Sequence, residues 1–177
     1  MWRLCPQLIS WQNRNVRHND PGDRTDSNEG EKEMAQEYEQ LKLENQICFP
    51  LYACARKITS SYTPFLKPLG LTYTQYVVFM VLWEEETVTV GELGKRLYLD
   101  AGTLTPLLKT LEKNGYVTRA RSHEDERVTM ITLTDQGRAL KEKCKDIPFK
   151  MAGICPALQN REQAEELYSL LYRILES

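Results

Sequence analysis

Residues 88–134 constrain the fold more than any other part of the chain. They open with Thr89-Val90-Gly91-Glu92, a hydroxyl followed three residues later by a carboxylate, the pattern of a reciprocal helix N-cap. Val90, Leu93 and Leu97 then recur at helical spacing. A short turn over 98–102 leads into a second apolar stripe, Leu104, Leu107, Leu108 and Leu111. Thr103, Lys109, Thr110 and Lys113 fall on the opposite face, each able to donate a hydrogen bond to a phosphate or a base. A helix starting after that turn keeps Pro106 in its first turn, where the missing N–H costs nothing. Asn114-Gly115 ends it. Two strand-like runs, 116–121 and 128–133, follow with polar Ser-His-Glu-Asp-Glu-Arg between them. Helix, turn, helix and hairpin in that order predict a winged helix-turn-helix. The fold class is mainly α with a small β-wing (α+β), able to lay one helix in a DNA groove with the hairpin beside it.

The rest of the chain must support that module. With 177 residues it is long enough to bury a core. The first helix is expected over 38–66, with Leu43, Ile47, Leu51, Ala55 and Ile58 every three or four residues. Pro50 lies inside that run and should bend the helix near Cys48. Thr72 and Gln75 form another capping box. The run 76–83 is apolar nearly all round and predicts a central helix. A helix over 134–146 follows the wing, and Pro148 and Pro156 flank an irregular join. A last helix begins near Asn160, with Gln163 at the box position. Its Leu167, Leu170, Leu171, Ile174 and Leu175 form an apolar stripe that needs a partner: a second copy of the chain or its own core.

Residues 1–38 read differently. The stretch 13–39 is rich in Asn, Asp, Glu, Arg and Gly and has too few apolar groups to offset its ordering entropy. The domain reading is a disordered extension over 1–38, with 1–33 lying ahead of Met34, and a single domain over 39–177.

Charge and cysteine usage narrow the function classes. Lys and Arg number 23 against 25 Asp and Glu, so bulk charge does not drive nucleic-acid binding and any basic surface must be local. No run is long and apolar enough to span a membrane, and the apolar start of the chain is too broken for a signal peptide. Cysteines at 5, 48, 54, 144 and 155 form no C-x-x-C pair, and only two histidines are present, so no metal site and no cofactor is expected. Irregularly spaced cysteines in odd number suit a reducing cytoplasm.

The run L-Y-L-D-A-G-T-L-T-P-L-L-K-T-L-E-K-N-G-Y-V-T-R, with the later D-E-R and I-T-L-T-D-Q-G, resembles the MarR family of dimeric bacterial regulators. L-E-N-Q-I-C-F-P-L-Y-A and L-T-Y-T-Q-Y-V-V-F-M-V-L-W-E upstream are similar to its organic-hydroperoxide-sensing, OhrR-like branch. The resemblance runs over about 41–175. It implies a homodimer with interlocked N- and C-terminal helices, about 38–66 and 134–177, on an inverted-repeat operator in double-stranded DNA. It implies that Cys48 is the redox-sensing thiol and that Tyr62 and Tyr73, supplied by the partner subunit, hydrogen-bond its thiolate. It also implies a resolving role for Cys155 through an intersubunit disulfide; a small cellular thiol capping Cys48 is the alternative. Pro50 stands where the family pattern carries an aliphatic residue.

Beside the resemblance stands what the residues themselves say. Only a thiolate attacks a peroxide well, so a sensor cysteine needs hydrogen bonds, a helix N-terminus or a cation. Tyr52, one turn after Cys48, and Phe49 can line an apolar pocket suited to alkyl or lipid hydroperoxides. A cysteine in a helix reads equally as a small packed hydrophobe, and internal tyrosines as packed rings. The DNA-facing candidates are Thr103, Thr105, Lys109 and Lys113 on the second helix and Arg119, Arg121 and Arg127 on the wing. Asp125-Glu126-Arg127 matches the family's wing signature, Asp125 orienting an arginine and Arg127 facing DNA. Lys109 and Lys113 read equally as solvated surface charge. The function that follows is a hydroperoxide-sensing repressor. The alternatives are a regulator released by a small aromatic ligand, or a thiol peroxidase using Cys48 and Cys155.

Overall fold

Two reciprocal caps frame the fold. In the computed structural model, which describes residues 38–122, 124–153 and 159–177, Thr72 and Gln75 exchange backbone and side-chain bonds at the start of one helix. Thr89 and Glu92 do the same at the next. The chain divides into two units, Met1–Ala55 and Arg56–Ser177. Apart from Tyr38, the segment 1–38 lies outside the described residues, as do Cys155 and Pro156.

The first unit holds two short 3-10 turns, Glu39–Leu41 and Leu43–Asn45, and the start of helix α1, Cys48–Ser61. The expected helix over 38–66 is therefore in pieces. Pro50 does not kink a running helix; it sits in the first turn of one that begins at Cys48, where its missing N–H has no helical acceptor to lose. The apolar spacing upstream fits 3-10 turns as well as a helix. At the other end the chain turns at Tyr62 into α2, Thr63–Leu66, whose Pro64 cannot continue the α1 ladder.

The second unit is built on α3, Tyr73–Glu85, which buries Tyr76, Val78, Phe79, Val81 and Leu82. It is apolar on every side because elements pack all around it: α4, Val90–Leu97; α6, Asp135–Cys144; and a small sheet. That sheet has the order β1-β3-β2, all antiparallel, from β1 Thr87–Thr89, β2 Val117–Arg121 and β3 Thr129–Leu133. Val117 pairs with Leu133 and Arg121 with Thr129, so the wing is a regular hairpin. Its third strand was not anticipated: Val88 pairs with Ile131, and both are buried.

Helix α5, Ala101–Lys113, starts earlier than the turn read over 98–102 allows. Asp100 caps it, its Oδ1 accepting the Thr103 N–H at 2.8 Å. Pro106 consequently lies inside the helix and not in its first turn, which deprives the Gly102 carbonyl of its usual donor. Leu104, Leu108 and Leu111 are buried as the stripe predicts. Gly115, at φ +77°, closes the helix in the left-handed region as expected.

After the wing, Thr134 caps α6 by accepting the Gly137 N–H. Pro148 falls in the first turn of a short helix, α7 Ile147–Met151, where an irregular join was expected. The last helix, α8 Arg161–Leu175, is capped by Asn160. Neither α1 nor α8 buries a single residue, although both carry exposed leucine, isoleucine and tyrosine.

Candidate functional site

Burying Leu104, Leu108 and Leu111 fixes which side of α5 faces outward. Thr103, Lys109 and Lys113 are exposed, and Thr105 is half-buried. The threonines differ from the lysines in what they can offer. Thr103 donates its hydroxyl to Asp100 Oδ2 at 3.1 Å, and Thr105 donates to the Ala101 carbonyl at 2.6 Å. Thr110 likewise donates to the Pro106 carbonyl at 2.9 Å. A hydroxyl has one hydrogen, so in these rotamers the threonines can only accept. Donation from Thr103 or Thr110 to DNA, as the sequence reading has it, requires these hydroxyls to turn off their present acceptors. Lys109 and Lys113 make no ion pair among the described residues, and their ammonium groups are exposed.

The wing arginines separate in the same way. Arg119 turns back toward α5: its Nη1 lies 3.6 Å from Glu112 Oε2, and its Nε is buried without a hydrogen-bond partner among the described residues. Arg121 donates across the hairpin to the Arg127 carbonyl and to Thr129 Oγ1, at 3.4 and 3.3 Å. Asp125 accepts the Arg127 backbone N–H at 2.9 Å, and its carbonyl accepts that of Val128. Asp125 thus shapes the wing tip through the backbone, and the Arg127 side chain is left exposed. Sequence reasoning missed Asp100. Its signal was Asp-Ala-Gly-Thr, an N-cap with a hydrogen-bonding residue three places on.

The cysteines sort by surroundings. Cys48 is the first residue of α1 and is exposed, in the first helical turn where backbone N–H groups and the helix dipole favour negative charge. Phe49, just after it, and Tyr52, one turn on, are exposed as well. Cys54 is exposed, whereas Cys144 is buried and burial pushes its thiol up, keeping it protonated.

In the second unit Tyr62 and Tyr73 come together, with ring centroids 4.9 Å apart and planes tilted by 60°. Tyr76 joins them, 5.9 Å from Tyr62. Burial, then the neighbouring Tyr62, push the Tyr73 phenol up, and burial pushes Tyr76 up to about 12. Both stay protonated at neutral pH, and a protonated phenol can donate to an anion. Beside Tyr73 lies an open pocket of about 340 Å³ that includes Leu66, Leu71, Thr59 and Lys67. Among the described residues no single helix is long and apolar enough to cross a membrane.

Known proteins share this fold. Residues 60–144 match the family described as transcriptional regulator SarA/Rot. The organic hydroperoxide resistance transcriptional regulator of Bacillus subtilis (strain 168) is 49% identical over 144 residues, 81% of this chain and 97% of that protein. Among solved structures, reduced AbfR bound to DNA is 36% identical with a TM-score of 0.66, covering 78% of this chain and 95% of that one; a related structure comes from Staphylococcus epidermidis. Disulfide-formed AbfR is 37% identical with a TM-score of 0.54, covering 81% and 98%. The winged helix is thus a regulator's DNA-binding module and not part of an enzyme. By fold and by identity over nearly the whole of its Bacillus relative, the chain belongs to the MarR family of transcriptional regulators, in the branch of the organic hydroperoxide resistance regulators.

Proposed function

We propose that the chain is a homodimeric repressor that senses organic hydroperoxides through Cys48. The observation that carries this reading is the Tyr62–Tyr73 pair, two rings with centroids 4.9 Å apart at the positions the resemblance assigns to thiolate donors, with the Tyr73 phenol pushed up by burial. Cys48 supplies the reactive sulfur. Its thiolate attacks the distal oxygen of the hydroperoxide, the O–O bond breaks, and the leaving alkoxide takes a proton to become an alcohol. The resulting sulfenic acid condenses with Cys155 of the second copy or with a small cellular thiol, releasing water. Reducing thiols restore the starting state, whereas the sulfinic and sulfonic acids resist them.

The dimer accounts for the bare faces of α1 and α8, whose exposed Leu51, Ile58, Leu167, Leu171 and Ile174 need apolar cover. Two copies place two α5 helices in successive major grooves of an inverted repeat, about one helical turn apart. Lys109, Lys113, Arg121 and Arg127 neutralise phosphates, and the wing tip carries Arg127 toward the minor groove. Oxidation at α1 biases the dimer away from that spacing. The protein works in the cytoplasm, where thiols are kept reduced. The pocket beside Tyr73 favours one second reading, release by a small aromatic ligand.

The test is titration of reduced protein on a labelled inverted-repeat operator, with and without stoichiometric cumene hydroperoxide, beside Cys48→Ser. The expected result is release of the unaltered protein alone, reversed by dithiothreitol. Retention of both proteins would sink the sensor reading and leave the ligand-responsive one.

A further inference from the structure

Helix α3 ends in Glu84-Glu85-Glu86, three carboxylates at the end of a helix where the dipole disfavours negative charge. Cations from two other elements gather there. Arg96, in the last turn of α4, donates through Nη1 to Glu85 and through Nη2 to Glu84, each at 2.5 Å. Arg138, on α6, lies 3.9 Å from Glu86, and Lys141 donates to the Trp83 carbonyl at 3.2 Å. The Glu86 carbonyl in turn accepts the Leu133 N–H, at the end of the wing.

Of these contacts, the Arg96 fork has the most leverage on DNA binding. Helix α4 has eight residues and only Leu93 is buried. Val90 and Leu97, at its two ends, pack half-buried on the core beside Leu93, so apolar contact sets how deep the helix sits and leaves its angle open to adjustment by polar contacts at its rim. Its N-terminal end is held by β1, which pairs with β3. Its C-terminal end, which leads through Tyr98 and Leu99 into α5, is held to α3 by Arg96. A planar guanidinium gripping two carboxylates fixes direction as well as distance. Helix α4 is about 12 Å long, so a tilt of about 10° would carry the start of α5 by roughly 2 Å, enough to break hydrogen bonds to DNA. The side chains are 40 to 62% exposed, so the fork adds little to overall stability.

We propose that Arg96 is a positioning residue for operator binding: by gripping Glu84 and Glu85 together it sets the tilt of the helix-turn-helix on α3, and with it the span between the two recognition helices of the dimer. This rests on the dimeric reading above. The test compares the full-length reduced protein with Arg96→Met, Arg96→Lys and the double variant Glu84→Gln/Glu85→Gln. Each is titrated on operators of native half-site separation and on operators lengthened or shortened by one base pair, at several salt concentrations, beside urea unfolding.

Arg96→Met should keep its urea midpoint and its salt slope, because both Nη groups of Arg96 are engaged by Glu84 and Glu85. Its preference for native over altered spacing should fall about tenfold. The glutamine double variant should match it, and Arg96→Lys, with one donor head, should fall between. Intact spacing preference in Arg96→Met overturns the proposal. So does a salt slope shallower by about one phosphate per protomer, which would make Arg96 a DNA contact. A collapsed urea midpoint overturns it in favour of a stability role. If the unaltered protein itself shows no spacing preference, the dimeric reading fails first, and the proposal with it.

Discussion

Gly137 offers the sharpest test of how the wing is seated. It lies in the first turn of α6, where a Cβ would stand 2.2 Å from the Tyr116 carbonyl oxygen and 2.7 Å from Leu133 Cδ2. A carbon and an oxygen in weak contact rest at about 3.3 Å, so Gly137→Ala must open the helix–wing contact by roughly 1 Å. The Tyr116 carbonyl is held in place because it already accepts the Thr134 N–H at 3.1 Å, while the Thr134 hydroxyl donates to the neighbouring Gly115 carbonyl at 2.7 Å. Helix α6 must move instead, which stretches the 3.0 Å bond from Trp83 Nε1 to the Gly137 carbonyl. Overpacking against backbone costs about 3 kcal/mol, and the lost bond about 1 kcal/mol. Alanine regains up to about 1 kcal/mol of helix propensity. The expected loss is about 3 kcal/mol, read as a lower midpoint in urea followed by far-ultraviolet circular dichroism. Gly91→Ala is the control: its Cβ would meet only Thr89 Oγ1 at 3.9 Å, so it should lose nothing. A loss under about 1 kcal/mol in Gly137→Ala would refute the close-packing argument.

Two further predictions concern titrating groups. In the native protein Cys144 should alkylate with iodoacetamide far more slowly than exposed Cys54, read by peptide mass mapping; equal rates would mean that α6 does not shield it. Asp100 is held below its ordinary value first by the Thr103 N–H and then by the Thr103 hydroxyl. A carboxyl lowered by folding stabilises the protein above its unfolded pKa of about 3.9, and that contribution is lost as pH falls through the folded value. Asp100→Asn keeps the acceptor without the titration, so its urea midpoint relative to the parent should rise between pH 7 and about pH 3. A difference that stays constant across that range would show that the cap charge is not coupled to folding.

What was legible in the sequence was local. Thr72 with Gln75 and Thr89 with Glu92 each close a cap within four residues, so pattern alone locates them. The leucine stripe of α5 and the two wing strands are also written in short-range periodicity. Part of what was missed depends on partners distant in sequence. Strand β1 has only three residues, too few to show alternation, and exists because β3 pairs with it across 43 positions at Val88 and Ile131. The start of α5 was misread because Gly102 suggests a turn, while the Asp100 cap offsets the cost of glycine in a helix. At the candidate site the sequence shows residue types but not orientations: nothing in the pattern selects the rotamer that turns the Thr105 hydroxyl onto Ala101, or says that Arg119 leans toward Glu112.

The same distinction explains how a chain with a formal charge of −2 can be a DNA-binding regulator. Net charge counts every ionised group equally, but the folded chain does not use them equally. Glu84, Glu85 and Glu86 face Arg96 and Arg138 at the end of α3, where attraction between elements replaces repulsion within the run. Glu112 engages Arg119 between the recognition helix and the wing. These acids and bases hold elements in place and cancel at short range, so they contribute little field beyond a Debye length of about 8 Å at physiological salt. Lys109, Lys113 and Arg127 are exposed without a carboxylate partner among the described residues, and Arg121 spends its hydrogen bonds on the hairpin while keeping its charge. Lys109, Lys113 and Arg127 thus offer unpaired positive charge although the sum over the chain is negative, while Glu124, Asp125 and Glu126 set three carboxylates beside Arg127 at the wing tip. A repressor built this way gains affinity from a few local contacts and avoids the indiscriminate binding that a strongly basic surface would bring.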